Sequence, residues 1–425
     1  MNASVTLLLV LGMLPSFTAL SQSLAKTLPV IGQYLGPINP LKIFFPVLLW
    51  FVWKNRGLIP KRNWTLLGLT LGLGSAGTLV AAISCSFPPD LIREWAVICI
   101  GIAGALSLAV LPQSQFRKVI ICWSVIIFGS VVLNLVFPEA LNFINAHLFD
   151  PIRQVPDDPN NINFLMGFFD TASLAKLLVW IPWLLMWSDS RLETSPGYRR
   201  VLFYLSILGV CAILALTTTQ RGPFVGLLAG AVAFLIHIAL VGRRYHLLKQ
   251  SGIILLLALA LIPVFVPKNV LIYRVFPLIH KSNPTLSNPA TASITQRERH
   301  LKLAFETIRG NPLGYPCIAP EEYARRQIAV PGHSHNIILE QFRSRGWIFG
   351  LWHFGIWLFA LLIYWRSPSL RHSALLGGVV TTLVLGLADH PWFVINHALV
   401  LGTFLFGYIR QDKSQRPLID SGSAV

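Results

Sequence analysis

Residues 331–350 read PGHSHNIILEQFRSRGWIFG. Two histidines, an asparagine, a glutamate and two arginines crowd together just ahead of a run, 346–365, that contains no Asp, Glu, Lys or Arg. A run of that length suits the ~30 Å hydrocarbon slab of a bilayer. The rest of the chain repeats the pattern. Of its 425 residues 54% are hydrophobic and 12% charged, with a mean hydropathy of +0.63, whereas a soluble domain carries about 25% charged residues. The expectation is an all-α integral membrane protein, a single polytopic domain over 1–425 with about twelve transmembrane helices. The spans fall near 3–20, 40–54, 64–86, 94–112, 118–137, 167–187, 200–218, 222–241, 251–267, 346–365, 373–389 and 391–409. The first lacks the basic leader and the small-residue cleavage site of a signal peptide, so it counts as a helix.

Charge sets the orientation. The net charge of +17 does not point to nucleic acid, because much of it sits in short connectors between apolar runs, where topology signals lie. With twelve alternating spans, KNRGLIPKR, FRK, SRLETSPGYRR, GRRYHLLKQ, RSPSLRH and RQDKSQR all fall on one side and carry 17 Lys and Arg together. The positive-inside rule places that side, with both termini, in the cytoplasm. Membrane lipids or an acidic substrate are then the natural partners. Two longer segments face outward: 138–166, and a large, partly helical loop or cap at 268–345 between spans nine and ten. A loop that long is expected to be functional or partly folded. The five cysteines show no metal-like or framework spacing, although a Cys85–Cys317 bridge is conceivable.

Candidate chemistry collects on the outer face. Arg221 sits in TTTQRGPF between two apolar runs, and an arginine at that depth must snorkel, pair or bind an anion. Gly222 and Pro223 suit the first turn of the next helix, whose N-terminus favours an anion. In SITQRERHLKLAFETIRGNP, helical spacing groups Leu301, Ala304, Phe305 and Ile308 with Arg297, and leaves Arg299, Lys302, Glu306 and Arg309 on the solvated face. Arg297 therefore points inward and needs an anion, either an acidic side chain or a ligand. His335 shares a helical stripe with Ile338, Leu339 and Phe342, and a neutral histidine there can deprotonate an alcohol. His333 lies in the Pro-Gly turn upstream. Asn336 can orient the base or bind a polar substrate group. Asp389, in the short connector LADHPWF, either completes the site or is merely interfacial. Arg343 and Arg345 are expected to anchor the helix at lipid head groups. His-x-His can supply two metal ligands, but a third is not evident nearby; a histidine satisfied in the core is the other plain reading. A base with two arginines suits displacement of a diphosphate leaving group by an activated hydroxyl, without metal or cofactor.

In this order and topology the chain resembles the O-antigen ligase family, within a superfamily of polytopic bacterial glycosyltransferases. Three stretches carry the resemblance. TTTQRG is similar to the family's arginine opening a helix at the outer face. QRERHLKLAFETIRGNPLGYP is similar to its arginine preceding a Pro-x-Gly turn, which selects Arg297, Pro312 and Gly314. HSHNIILEQFRSRGWIFGL is similar to its His-Asn and Gly-x-x-Gly span entry, selecting His335, Gly346 and Gly350. The resemblance implies a bacterial inner-membrane enzyme with a periplasmic active site. It would move a polysaccharide from undecaprenyl diphosphate to a sugar hydroxyl of the lipid A–core acceptor, metal-independent and inverting. His335 would be the base, and Arg221 and Arg297 would hold the diphosphate, with His333, Asn336 and Asp389 as further substrate contacts. One departure stands: relatives carry an arginine before a Gly-x-Phe pattern, whereas NFLMGFFDTASLAK has none, and Arg153 and Lys176 do not align with it.

Rival readings remain. An O-antigen polymerase or a protein O-oligosaccharyltransferase would use similar chemistry on another acceptor. A polysaccharide or lipid transporter would place polar residues near the bilayer midplane with repeat symmetry, and the embedded Lys176 is the residue that favours it.

Overall fold

In the computed structural model, described residues cover 1–17, 38–86, 88–149, 171–194, 198–218, 221–242, 289–326, 336–387 and 394–410, with short pieces between 245 and 264 and single positions at 169, 328 and 334. They form helices and no strand; one isolated bridge joins Phe17 to Ile38. The helices are α1 (Asn2–Leu11), α2 (Pro40–Ile43), α3 (Phe45–Lys54), α4 (Lys61–Ser84), α5 (Pro89–Val110), α6 (Gln113–Val136), α7 (Pro138–Ile144) and α8 (Thr171–Ser188). There follow α9 (Arg191–Thr194), α10 (Tyr198–Thr217), α11 (Arg221–Leu240), α12 (Pro289–Gly310), α13 (Pro320–Arg325), α14 (Leu339–Arg366), α15 (Leu370–Gly386) and α16 (Ile395–Phe406).

Six of these, α4, α5, α6, α10, α11 and α14, are long and apolar enough to cross a bilayer, so the protein is a helical membrane protein. Five shorter apolar helices, α1, α3, α8, α15 and α16, fall at further expected spans. The expected span at 251–267 lies largely outside the described residues. Proline punctuates the first half. Pro40, Pro89 and Pro138 stand in the first turns of α2, α5 and α7, and Pro60 and Pro112 cap α4 and α6. At a helix start its missing N–H costs nothing, and its fixed φ suits the first turn.

Lipid tails are as apolar as leucine, so the bundle needs close packing and internal hydrogen bonds to hold together. The α5–α16 crossing shows this: a Cβ on Gly101 would stand 2.5 Å from the Ala398 carbonyl oxygen, and one on Gly402 2.7 Å from that of Gly101. Antiparallel α11 and α15 pack the same way through Gly226, Gly230 and Gly377. Trp183 Nε1 donates to Thr381 Oγ1 at 3.0 Å, and His237 lies 2.8 Å from Ser373 Oγ and 2.9 Å from the Trp365 carbonyl. At the end bearing the basic connectors, Arg410 closes the C-terminus of α5 by donating to the carbonyls of Leu108 (3.0 Å) and Leu111 (2.7 Å).

At the opposite end, Cys85 after α4 is bonded to Cys317 after α12, with Cα atoms 5.8 Å apart and 232 residues between them in sequence. This bridge ties the cap helices to the bundle. Cys99, Cys122 and Cys211 remain as thiols. Denaturing alkylation is therefore expected to label three cysteines without reductant and five with it, read by intact mass. Five labels without reductant would refute the bond.

Candidate active site at the disulfide end of the bundle

The segment before α14 is shaped by its own side chains. Asn336 Oδ1 accepts from the backbone N–H of Ile338 at 3.0 Å and of Leu339 at 2.9 Å, capping the helix. Glu340 Oε2 accepts from the N–H of Ser334 at 2.7 Å. α14 begins at Leu339, and the stripe expected to join His335 to Ile338, Leu339 and Phe342 rests on a residue outside those described. Ile337 N–H donates to the carbonyl of Gly386 at 2.8 Å and Asn336 Nδ2 to that of Leu387 at 3.4 Å, which docks the segment on the last turn of α15. His333 and His335 lie outside the described residues, while Ser334 and Asn336 on either side of His335 are buried.

Two of the three stretches singled out in the sequence meet here. Gly346 interrupts α14 at φ 83°, ψ 175°, and Gly314 sits at φ 94° in the turn after α12. Both values lie where side chains are strained. The two glycines pack against each other's backbone: a Cβ on Gly314 would meet Gly346 N at 2.6 Å, and one on Gly346 would meet Leu313 C at 2.6 Å. Around this contact Tyr315 N–H donates to the Arg343 carbonyl (2.7 Å), and Trp347 N–H donates to the Pro312 carbonyl (2.9 Å). Trp347 Nε1 donates to the carbonyl of Ile308 at 3.2 Å. The Pro312–Gly314 turn thus locks α12 onto the kink of α14.

Arg343 and Arg345 do not reach for head groups. Both are buried, because each finds a carboxylate inside the protein. Arg343 pairs with Glu340 and donates to the Pro316 carbonyl at 3.4 Å. Arg345 donates to Glu94 Oε1 of α5 at 3.2 Å, to Thr78 Oγ1 of α4 at 3.0 Å, and to Gln341. Gln341 Nε2 in turn donates to Glu94 at 3.1 Å. This network joins α4, α5 and α14 beneath the cap. Its acidic member was missed in the sequence, although Glu94 opens one apolar run just as Arg345 precedes another.

On α12, His300, Leu303, Ala304 and Ile308 are buried, whereas Phe305 is 57% exposed. The buried stripe is therefore turned from the one expected, because Leu303 packs with Tyr323 and Ile328 of the cap and leaves Phe305 outside. Arg297 lies on the stripe of His300 and Ala304, half-buried, and makes no ion pair with a described residue. Arg299 is half-buried too, and it has a partner. Arg326 ties α12 to α13 by donating to Glu306 (2.5 Å) and Glu322 (2.6 Å). The bond to Glu306, and at Glu322 the hydrogen bond from Arg325 followed by that from Arg326, hold both carboxyls below their ordinary range, and the two carboxylates raise the Arg326 guanidinium.

Arg221 opens α11, and its side chain lies outside the described residues, as do Asp389 and Arg153. The backbone still shows where α11 begins relative to its neighbours. A Cβ on Gly226 would meet Thr381 O at 2.7 Å and Leu385 Cβ at 3.3 Å, and one on Gly386 would meet Ile337 Cγ2 at 2.5 Å. The first turns of α11, the last turn of α15 and the Asn336–Ile338 segment therefore share one end of the bundle, and the connector containing Asp389 starts just beyond Leu387. Lys176 is buried in α8 with a partner. Comparison with protein-family models gave no match, and comparison with curated proteins gave none either.

Proposed function

We propose that the chain is an O-antigen ligase: a multi-pass glycosyltransferase of the bacterial inner membrane, with both termini cytoplasmic and a periplasmic active site. The observation that carries this reading is Arg297. It is half-buried on the packed face of α12, it makes no ion pair with a described carboxylate, and the Gly314–Gly346 contact locks its helix to the segment that follows His335. A guanidinium so placed calls for an anion, and its planar fork suits a diphosphate. The Cys85–Cys317 bridge supports an oxidising compartment on that face.

In the reaction the acceptor hydroxyl oxygen of lipid A–core attacks the anomeric carbon of the glycan, and the bond from that carbon to the undecaprenyl diphosphate oxygen breaks. Attack opposite the leaving group inverts the anomeric centre. His335 takes the hydroxyl proton, while Arg221 and Arg297 hold the negative charge that collects on the departing diphosphate. Asp389 orients His335, His333 lies beside the acceptor, and Asn336 fixes the segment through its cap.

The test is transfer from undecaprenyl-diphosphate-linked glycan to purified rough lipopolysaccharide by reconstituted protein, with chelator present. Wild type is expected to transfer. Arg221→Ala and Arg297→Ala are expected to be slower by about 10²–10³-fold, and His335→Ala by about 10²–10⁴-fold, at matched amounts of folded protein. Glycan lengthening on the lipid carrier would make the enzyme a polymerase, and transfer to protein an oligosaccharyltransferase. No product with active substrates would overturn the reading and favour transport around Lys176.

A further inference from the structure

An apolar cavity of about 740 Å³ lies between α3, α4 and α5, bounded among others by Trp50, Trp53, Trp64, Gly68, Ser75 and Ile102. Trp64 and Ser75 mark its length along α4. Eleven residues at 1.5 Å each make roughly 16 Å, about half of the ~30 Å hydrocarbon core. The groove is therefore one leaflet deep. Its Trp53 and Trp64 end adjoins the basic connector between α3 and α4. There Lys54 Nζ lies 5.3 Å from the Trp50 ring centroid, the Arg56 guanidinium 4.4 Å from that of Trp53, and Lys61 and Arg62 open α4. No Asp or Glu precedes Asp90 anywhere in the sequence, so no acid of that stretch stands against Lys54 or Arg56.

An open groove one leaflet deep, greasy along its walls and cationic at the interface, has the polarity of a phospholipid in reverse. We propose that it seats an acyl chain of an anionic phospholipid from the leaflet that meets this connector, with the headgroup phosphate on Lys54 and Arg56. Stacking on Trp50 and Trp53 holds both cations at the depth where a phosphate lies, and cations so placed attract anionic lipid. The site is separate from the cap and does not depend on the proposed reaction.

Native mass spectrometry of the full chain, released from detergent with phosphatidylglycerol or phosphatidylcholine of identical acyl chains, tests this. Phosphatidylglycerol is expected to be retained roughly tenfold or more over phosphatidylcholine, and Lys54→Gln with Arg56→Gln should remove the preference. A Cβ on Gly68 meets nothing within 4 Å, so Gly68→Leu fills the groove without a backbone clash and should abolish the retained adduct. Gly72, equally open but outside the groove, provides the control: Gly72→Leu should keep it. Equal retention of the two lipids, an unaffected Gly68→Leu, or loss in both leucine variants would overturn the proposal. So would a dimer that Gly68→Leu dissociates, because the groove would then seat a second copy of the chain.

Discussion

Glu94→Ala is expected to lower stability by about 3–5 kcal/mol, the cost of stripping one partner from a buried ion pair. Glu94 and Arg345 are 4% and 2% exposed, so water cannot replace the lost carboxylate. Thr78 and Gln341 would still accept from the guanidinium, but neither carries charge, and Gln341 would lose the acceptor of its own amide. Glu94→Gln keeps an acceptor oxygen and should fall between alanine and wild type. The diagnostic variant is Glu94→Leu with Arg345→Met, which removes both charges and should recover much of the loss. Thermal unfolding in detergent measures all three. If Glu94→Ala unfolds at the same temperature as the exposed Glu298→Ala, the network contributes nothing and the argument fails.

Gly346→Ala should act at the cap rather than through the bundle. The backbone of Gly346, φ 83° and ψ 175°, lies in a region essentially confined to glycine, so any side chain there costs on the order of 1–3 kcal/mol. The new methyl would also stand 2.6 Å from Leu313 C and 2.7 Å from Pro312 O, backbone atoms with no rotamer in which to escape. Relief requires the Pro312–Gly314 turn to lift, breaking the Tyr315–Arg343 and Trp347–Pro312 hydrogen bonds. Limited proteolysis should then cut between α12 and α14 much faster than in wild type, with the bundle intact. Gly350→Ala is the contrast. Its Cβ would meet the Phe342 ring at 2.4 Å, and a side chain can turn aside where backbone cannot, so its cap should stay resistant.

The helices were legible because a bilayer imposes a length and polarity that a sequence displays directly. Interactions between distant segments were not. Arg345 reads as an interfacial anchor when only its neighbours are visible, because its partner Glu94 lies 251 residues away. Phe305 reads as core because periodicity finds a stripe but not its centre, which Tyr323 and Ile328 set by packing on Leu303. At the site, residue type and order pointed to Arg297, and to Gly314 and Gly346 through the family resemblance. That the two glycines touch is a fact of three dimensions. Asn336 shows the reverse case: its type suited substrate or base, while its side-chain oxygen is held by two backbone N–H groups.

The bond between Cys85 and Cys317 makes a closed covalent ring of the chain between them. Helices α5 to α12 belong to the ring, while α1 to α4 and α13 to α16 hang from its two ends. A single cut anywhere inside it yields no separate fragments until the sulfurs are reduced. The ring also imposes an order on biogenesis, because it cannot close until synthesis has passed residue 317. Until then α4 must wait with a reactive thiol at its end, and the cap is fastened only after most of the bundle has been made.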